Sequence, residues 1–147
     1  MSIHTDVTDS VLDPATALDH CSGPGHGAAD LFIGRVRNIN QGRQVLGVSY
    51  DLHSALCRNV FNEICAEAKQ QWGEAIHLWL VHRHGRLGIG EASVIAAASS
   101  RHRDESFKAC RYLVEQMKHR APIWKQEHYV DGDSEWVKGH ALCGEGR

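Results

Sequence analysis

The sequence predicts an α+β fold, in which strands and helices share one core, from three observations. Two long segments, about residues 54–72 and 103–119, carry apolar residues at helical spacing. About six shorter apolar runs, bounded by glycine, proline and asparagine, are typical of strands. The 147 residues, of which 42% are apolar and 23% charged, suffice for one core of an ordinary globular protein. We therefore expect residues 1–147 to form a single domain.

The N-terminal third predicts a strand, a short helix and two further strands. Residues 3–7 indicate a short strand. Asp13-Pro14 opens a helix over about residues 13–20, because proline fits the first helical position. The loop CSGPGHG leads to a buried strand over residues 28–36, and the turn-rich segment RNINQG leads to a partly alternating strand over residues 45–50.

The remaining elements are two long helices and further strands. Apolar residues recur at steps of four from Leu56 to Ala68 and form one helix face. Strands follow over residues 74–84 and 91–98, joined by the glycine-rich connection HGRLGIG. Phe107 to Met117 supply the apolar face of the second long helix.

Closing strands are expected over residues 123–130 and 136–137, around the turn DGDS. The two ends of the chain, about residues 1–10 and 138–147, are expected to be mobile.

Charge is distributed unevenly along a chain whose formal net charge is −2. Residues 1–30 contain five Asp and no Lys or Arg, whereas residues 31–147 contain 16 basic and 13 acidic groups. An anion site therefore belongs to the later part of the chain, and general binding of polyanions is not expected.

The sequence predicts a cytoplasmic protein without a metal site. No apolar run approaches the roughly 20 residues that span a bilayer, and the N-terminus lacks the regions of a secretory signal. Five cysteines without a CxxC pair do not suggest a disulfide framework or a zinc site. The eleven histidines match no recognised ligand spacing, although His82 and His84 share a strand face.

The most informative segment is RHRDESFKACRYLVEQMKHRAPIWK, residues 101–125. It carries seven Lys or Arg against three carboxylates. His102 and Arg103 stand where the helix begins, and unpaired backbone N–H groups there favour phosphate. Lys118 stands where the helix ends, and Lys125 follows a helix-breaking proline on an extended segment. This placement indicates an anion pocket with lysines available for chemistry.

Each of these residues also has a purely structural interpretation. Arg103 suits a solvated helix residue paired with a nearby carboxylate, and Lys118 suits the negative end of the helix dipole. If the chain folds back after the helix, however, Lys118 and Lys125 meet, and their repulsion favours the neutral amine of one of them. Arg35 and Arg37 lie two apart at a strand end and form a candidate fork for a phosphate or carboxylate.

Longer motifs in the same region resemble a known family. The order GRVRNIN, then VHRHGRLGIGEASVIAAASSRHRDESFKACRYLVEQMKHRAPIWKQE, then GD…WV is similar to the large, catalytic subunit of molybdopterin synthase, the MoaE family. The resemblance covers about residues 27–137 and is strongest from Val81 to Glu127.

The resemblance implies an α/β-hammerhead fold with mixed, mainly antiparallel strands and two main helices, in a homodimer. A small ubiquitin-like sulfur-carrier subunit would dock at each end and complete a heterotetramer. Its C-terminal Gly-Gly thiocarboxylate would enter a pocket and donate sulfur to cyclic pyranopterin monophosphate, forming the dithiolene of molybdopterin. The resemblance implies no metal or other cofactor for this subunit, and no nucleic-acid or membrane partner.

The resemblance also suggests residue roles. Lys118 corresponds to the central catalytic group, and Lys125 to a second catalytic lysine that binds or polarises the substrate. Arg37, His102 and Arg103 correspond to the substrate-binding anion pocket, whereas Arg35 receives no role.

Departures from the family keep an alternative open. Asp51–Leu56 reads DLHSAL where relatives carry an acidic residue, Tyr-Pro and Met. Lys138 stands where relatives often have an arginine, and Arg101 stands where a small residue or proline is common. These changes suit a non-catalytic paralogue that binds the carrier or a phosphorylated ligand. A nucleic-acid binder is a weaker alternative, because the net charge is negative and no recognised motif is present.

Overall fold

Residues 2–138, the part of the chain that the computed structural model describes, form three helices and ten strands. The helices are α1 (Pro14–His20), α2 (Ser54–Trp72) and α3 (Arg103–Arg120). The strands are β1 (Ile3–Thr8), β2 (Ala28–Arg35), β3 (Ile39–Asn40), β4 (Arg43–Leu52), β5 (His77–Arg83), β6 (Gly85–Gly88), β7 (Ala92–Ser100), β8 (Ile123–Tyr129), β9 (Gly132–Asp133) and β10 (Val137–Lys138). The predicted α+β class with two long helices is confirmed.

The first sheet contains four strands in the order β1-β5-β7-β2. β1 runs parallel to β5, whereas the β5–β7 and β7–β2 pairs are antiparallel. The central strand β7 is buried along all but its first residue. Its small residues, mostly alanine and serine, let a helix approach the sheet closely.

The main core lies between one face of this sheet and the helices α2 and α3. The helical spacing of apolar residues places one face of each helix against the sheet, as the sequence predicts. The prediction is wrong for the first residue of each face, because Leu56 and Phe107 are 49% and 59% exposed. Phe61, Ile64, Leu78, Leu80 and Leu113 are fully buried there. Burial of each such side chain stabilises the fold by roughly 1.5–3 kcal/mol.

The opposite face of the first sheet is partly covered by α1. Ala17 and Cys21 pack there against Val81, Ile95 and Ala97. Asp13 caps α1 by accepting a hydrogen bond from the Ala15 backbone N–H at 3.0 Å, so the helix predicted at Asp13-Pro14 is confirmed.

The second sheet is built around β4. β8 pairs along one edge of β4, while β3 and β6 pair along the other. β9 and β10 extend the sheet beyond β8. A smaller core on one face of this sheet contains Val36, Val45, Val48, Leu87 and Tyr129.

Two segments that the sequence predicts as connections contain short strands. Gly85–Gly88 of HGRLGIG pairs with β4, and Ile39–Asn40 of RNINQG pairs with its start. Four of the ten strands have four residues or fewer. The total of ten strands in the described residues exceeds the predicted number of about six, because runs of two to four residues are too short for an alternating pattern to be visible.

The N-terminal strand predicted over residues 3–7 is confirmed, because Ile3–Thr8 pair with β5 at six positions. Residues 3–8, part of the stretch expected to be mobile, thus form a paired strand. In the expected C-terminal tail, residue 138 ends β10 and residues 139–147 lie outside the described part of the chain. No helix within residues 2–138 is long and apolar enough to cross a membrane.

Candidate functional site: a cationic pocket on the second sheet

An ion pair on β8, whose carboxylate is buried, lines the site. Lys125 and Glu127 are two residues apart on the strand and therefore point to the same face. The Lys125 Nζ lies 3.1 Å from Glu127 Oε1, and these side chains are 22% and 7% exposed. Tyr50 of β4 stands directly opposite Lys125 in the strand register. The β4–β8 pairing thus brings a lysine, a carboxylate and a phenol together.

The ion pair belongs to an open pocket at the end of β2. The chain leaves β2 at Arg35 and crosses to β3, so Arg35 and Arg37 reach the β4–β8 face. The pocket is lined by Arg35, Val36, Arg37, Ile39, Asn40, Val48, Tyr50, Lys125 and Glu127. Three cationic side chains face one carboxylate that Lys125 already pairs, so the pocket favours an anionic ligand.

Lys118 lies at the same end of the molecule as this pocket. α3 follows β7 and packs back along it, so its last turn returns toward the end of the sheet where Arg35 pairs with Ala92. His82 of β5, which pairs with Val94 near that end, is close enough for its protonation to be opposed by the Lys118 charge. The His82 ring also contacts the Tyr50 ring, with centroids 5.0 Å apart.

Burial determines the charge of His82. Desolvation lowers its pKa from 6.5 to about 4, with a smaller contribution from the positive charge of Lys118. Its Nδ1 lies 2.7 Å from the Arg83 carbonyl oxygen and donates to it. His82 is therefore neutral near pH 7 and adds no charge between Lys118 and the pocket.

A network between the long helices positions the end of α3. Arg120 makes a bidentate contact with Glu67 of α2, at 2.7 and 3.0 Å, and the Tyr112 hydroxyl donates to Glu67 at 2.6 Å. The Arg120 guanidinium and the Tyr112 hydroxyl together hold the pKa of Glu67 below its usual range. Since Lys118 precedes Arg120 by two residues, this network also determines where Lys118 lies.

His102 and Arg103 lie at the opposite end of α3. At 1.5 Å per residue, the helix separates Arg103 from Lys118 by roughly 22 Å. His102 occupies the N-cap position without a capping side-chain hydrogen bond, and both residues are exposed. Arg103 makes no ion pair with another residue of the described range, so the alternative of a local salt bridge is not observed. Within one chain, Arg37 and Lys125 thus lie in one pocket and Lys118 lies at the same end of the molecule. His102 and Arg103 lie at the other end of α3, away from this pocket.

A close backbone approach holds the junction before α3. The Gly27 N–H donates to the Arg101 carbonyl oxygen at 3.2 Å, and a Cβ at Gly27 would lie only 2.8 Å from that oxygen. The Ser100 hydroxyl donates to the His102 carbonyl. The loop CSGPGHG thereby fixes the backbone that presents His102 and Arg103.

Several of the eleven histidines contact one another outside the pocket. His20, His26 and His77 form an aromatic cluster with His4 and Trp79 on the first sheet, in which the His4 and Trp79 rings stack at 4.1 Å. Within residues 2–138, no group of three or more His, Cys, Asp or Glu side chains is arranged to hold a metal ion.

Two ionisable residues of the pocket, Tyr50 and Glu127, were not assigned a role from the sequence, and Arg35 was considered only as part of a fork with Arg37. The period of two along a strand, which places Arg35 beside Arg37, would also have placed Glu127 beside Lys125. No comparable signal identifies Tyr50, because its position depends on the register between β4 and β8.

The segment Asp51–Leu56 retains an ordered strand-to-helix turn despite its departure from the family pattern. The His53 Nδ1 accepts the Leu56 N–H at 3.2 Å and caps α2, while Leu52 packs against the main core. Lys138 places its Nζ 5.7 Å from the centre of the Trp124 ring. Both departures are thus accommodated within the fold.

The fold and pocket define a class: an α+β protein with a lysine- and arginine-lined pocket for a small anionic ligand. The model of the family described as MoaE protein matches residues 7–120. A molybdopterin synthase catalytic subunit from Synechococcus elongatus is 46% identical over 133 residues, which cover 90% of this chain and 81% of that protein. The chain belongs to the MoaE family.

Further comparisons agree. A molybdopterin synthase catalytic subunit from Emericella nidulans is 34% identical and covers 99% of this chain and 74% of that protein. The crystal structure of molybdopterin synthase from Staphylococcus aureus has a TM-score of 0.85 at 26% identity, covering 90% of this chain and 95% of that chain. The family and fold expected from the sequence are therefore confirmed.

Proposed function

We propose that this chain is the catalytic subunit of a molybdopterin synthase, which transfers sulfur to cyclic pyranopterin monophosphate. The observation that carries the proposal is the pocket of Arg35, Arg37 and Lys125, in a chain 46% identical to a protein of that name. The substrate phosphate and the thiocarboxylate of a carrier are both anions, and both suit a cationic pocket.

The proposed roles follow from position. Lys118 is the central catalytic group, since it is exposed in the last turn of α3, at the same end of the molecule as the pocket. Its amine acts on the carrier thiocarboxylate as a nucleophile or as an acid and base. Lys125, held by Glu127, binds or polarises the pterin substrate, and Arg37 binds its phosphate.

His102 and Arg103 are proposed to complete the anion site from a second copy of the chain. Their distance from Lys118 along α3 prevents a direct contribution within one chain. In a homodimer, the start of one α3 can face the end of the other, so each site would combine both groups of cations. This arrangement retains the roles that the family resemblance suggests for His102 and Arg103.

The partner is proposed to be a small ubiquitin-like sulfur carrier that ends in Gly-Gly and completes a heterotetramer. A solved structure with this fold, at a TM-score of 0.72, is a complex of subunits 1 and 2 of molybdopterin-converting factor from Helicobacter pylori. A cytoplasmic location is part of the proposal. It is supported by Cys21, Cys57, Cys65 and Cys110, which are buried free thiols as in proteins of reducing compartments.

Reconstitution tests this function directly. The purified chain, a thiocarboxylated carrier and cyclic pyranopterin monophosphate should together yield molybdopterin, measured by fluorescence after oxidation. Lys118→Ala should abolish turnover without changing the thermal unfolding midpoint, because Lys118 is exposed. Lys108→Ala, an exposed lysine in the first half of the same helix, is the matched control. Full activity of the Lys118 variant would refute the assigned role.

A non-catalytic paralogue remains the second candidate, favoured by the departures at Asp51–Leu56 and Lys138. It predicts that titration calorimetry detects binding of the carrier while the same reconstitution yields no molybdopterin.

A further inference from the structure

A second cluster of reactive side chains lies on the face of the second sheet opposite the cationic pocket. Because Lys125 and Glu127 line the pocket, His128 points to the other face of β8. Tyr50 lines the pocket from β4, so Ser49 also points away from it. The β4–β8 pairing brings Ser49 and His128 together on this second face.

The three polar groups of the cluster are hydrogen-bonded in series. The Ser49 Oγ lies 2.7 Å from His128 Nε2, and His128 Nδ1 lies 2.8 Å from Asp133 Oδ1. An ionised carboxylate only accepts hydrogen bonds, so Nδ1 carries the hydrogen and Nε2 accepts the Ser49 hydroxyl. Nucleophile, base and orienting carboxylate stand in the order that activates a serine.

The sheet holds this arrangement from both sides. Asp133 of β9 stands directly opposite His128 on one side, and Gly47 of β4 stands opposite it on the other. Gly47 has no side chain to compete with the imidazole. His128 is 6% exposed, whereas Ser49 is only half-buried, so the base is shielded while the hydroxyl remains accessible.

Two neighbours supply what an acyl-transfer site needs beyond the triad. Arg86 of β6 is the direct cross-strand partner of Ser49 and shares its face. It is exposed, and within residues 2–138 its side chain makes no hydrogen bond or ion pair, so its guanidinium is available to a developing oxyanion. Trp124 lies on the same face of β8 and is 36% exposed, which offers an apolar surface to an acyl group.

We propose that Ser49, His128 and Asp133 form a second catalytic site, which hydrolyses small esters or thioesters. The Ser49 Oγ bonds to the carbonyl carbon while its proton passes to His128 Nε2. The bond to the leaving oxygen or sulfur then breaks, and the leaving group takes that proton. Water attacks the acyl-serine with His128 as base, releases the carboxylic acid and restores the Ser49 hydroxyl. Each proton removed is returned, and water is the only co-reactant.

The chain contains an internal comparison for this site. The Ser99 Oγ lies 2.7 Å from His26 Nδ1, but His26 Nε2 contacts the Ala75 carbonyl oxygen at 2.9 Å instead of a carboxylate. Ser99 is also fully buried. Ser99 has the serine–histidine contact, but it lacks an orienting carboxylate and cannot be reached by a substrate from solvent. It should therefore not react with esters.

The test uses the whole chain without carrier or pterin, which separates it from the proposed sulfur transfer. A fluorophosphonate probe should label Ser49 at one equivalent, located by peptide mass spectrometry, and should not label Ser99. The protein should turn over p-nitrophenyl acetate beyond one equivalent per chain, which a simple acylation of lysine does not do. Ser49→Ala should reduce this turnover by roughly 10²-fold or more, and Ser99→Ala should leave it unchanged.

Asp133→Asn provides a second variant, and it should leave folding intact because the Asp133 side chain is 56% exposed. It should also slow ester turnover by roughly 10²-fold or more, since His128 loses its orienting carboxylate. Failure of the probe to modify Ser49 in the folded protein, or equal turnover by Ser49→Ala and the unsubstituted chain, would overturn the proposal.

Discussion

At the scale of single residues, anion binding in the cationic pocket depends on which of its cations Glu127 neutralises. Glu127 is almost buried and faces Lys125 at 3.1 Å, while Arg35 and Arg37 line the same pocket. A buried carboxylate without a cationic partner would be strongly unfavourable. Glu127 therefore holds Lys125 in place and leaves the two arginines to an incoming anion.

Glu127→Gln should separate the positioning of Lys125 from the overall positive charge of the pocket. Glutamine keeps the size of the side chain but removes the charge that holds Lys125, so turnover should fall by roughly 10- to 100-fold through misplacement of the lysine. KM for the phosphorylated substrate should not rise, because the pocket becomes more positive. Steady-state kinetics of the reconstituted synthase measures both constants.

A double-variant cycle provides the control for that prediction. If the two residues act as a unit, adding Glu127→Gln to Lys125→Ala should cost little beyond Lys125→Ala alone. Fully additive losses would contradict a shared role.

His82 should make folding sensitive to mild acid. Its pKa falls from 6.5 in the unfolded chain to about 4 in the folded protein, so the unfolded state binds the proton more readily between these values. The contribution of His82 to stability is fully present above pH 6.5 and is lost as the pH falls toward 4. Between pH 7 and pH 5 the free energy of unfolding should decrease by roughly 2 kcal/mol from this group. Urea denaturation of the unsubstituted chain and of His82→Gln checks this, since the variant should lack that loss.

At the scale of elements, periodic segments were predictable and register was not. α2 occupies the predicted residues 54–72 because its apolar positions repeat over five turns. β3 and β6 lack such a signal and exist because β4 offers them a free edge. The residues of the candidate site also differ in how far the sequence predicts them. Motifs in the sequence identify Lys118, Lys125 and Arg37, whereas Tyr50 enters the pocket only through the β4–β8 register.

The junction between β7 and α3 should be sensitive to a single methyl group. At Gly27 a Cβ would meet the Arg101 carbonyl oxygen at 2.8 Å, and that oxygen accepts the Gly27 N–H. Gly27→Ala should therefore lower the free energy of unfolding by roughly 1–3 kcal/mol. Gly25→Ala is the matched control in the same loop, since nothing lies within 4 Å of a Cβ there. Thermal unfolding of both variants measures the difference, and equal midpoints would contradict the close approach.

At the scale of the whole molecule, α3 carries cations at both ends. Lys118 lies in the last turn of the helix, at the same end of the molecule as the pocket, and Arg103 begins the helix at the far end of β7. The helix is continuous over 18 residues, so no side-chain rotation within one chain joins the two groups. If both serve one substrate, a second copy of the chain must supply one of them.

Mixed dimers distinguish this arrangement from two independent sites. Lys118→Ala and Arg103→Ala should each be inactive or strongly impaired alone. When the two variants are unfolded together and refolded, random pairing makes half of the dimers mixed, and one of the two sites in a mixed dimer combines intact Lys118 with intact Arg103. Activity should then recover to roughly a quarter of that of the unsubstituted enzyme, as expected for a site shared between symmetric copies. Sites contained within one chain would show no recovery, because every chain in the mixture carries one of the two substitutions.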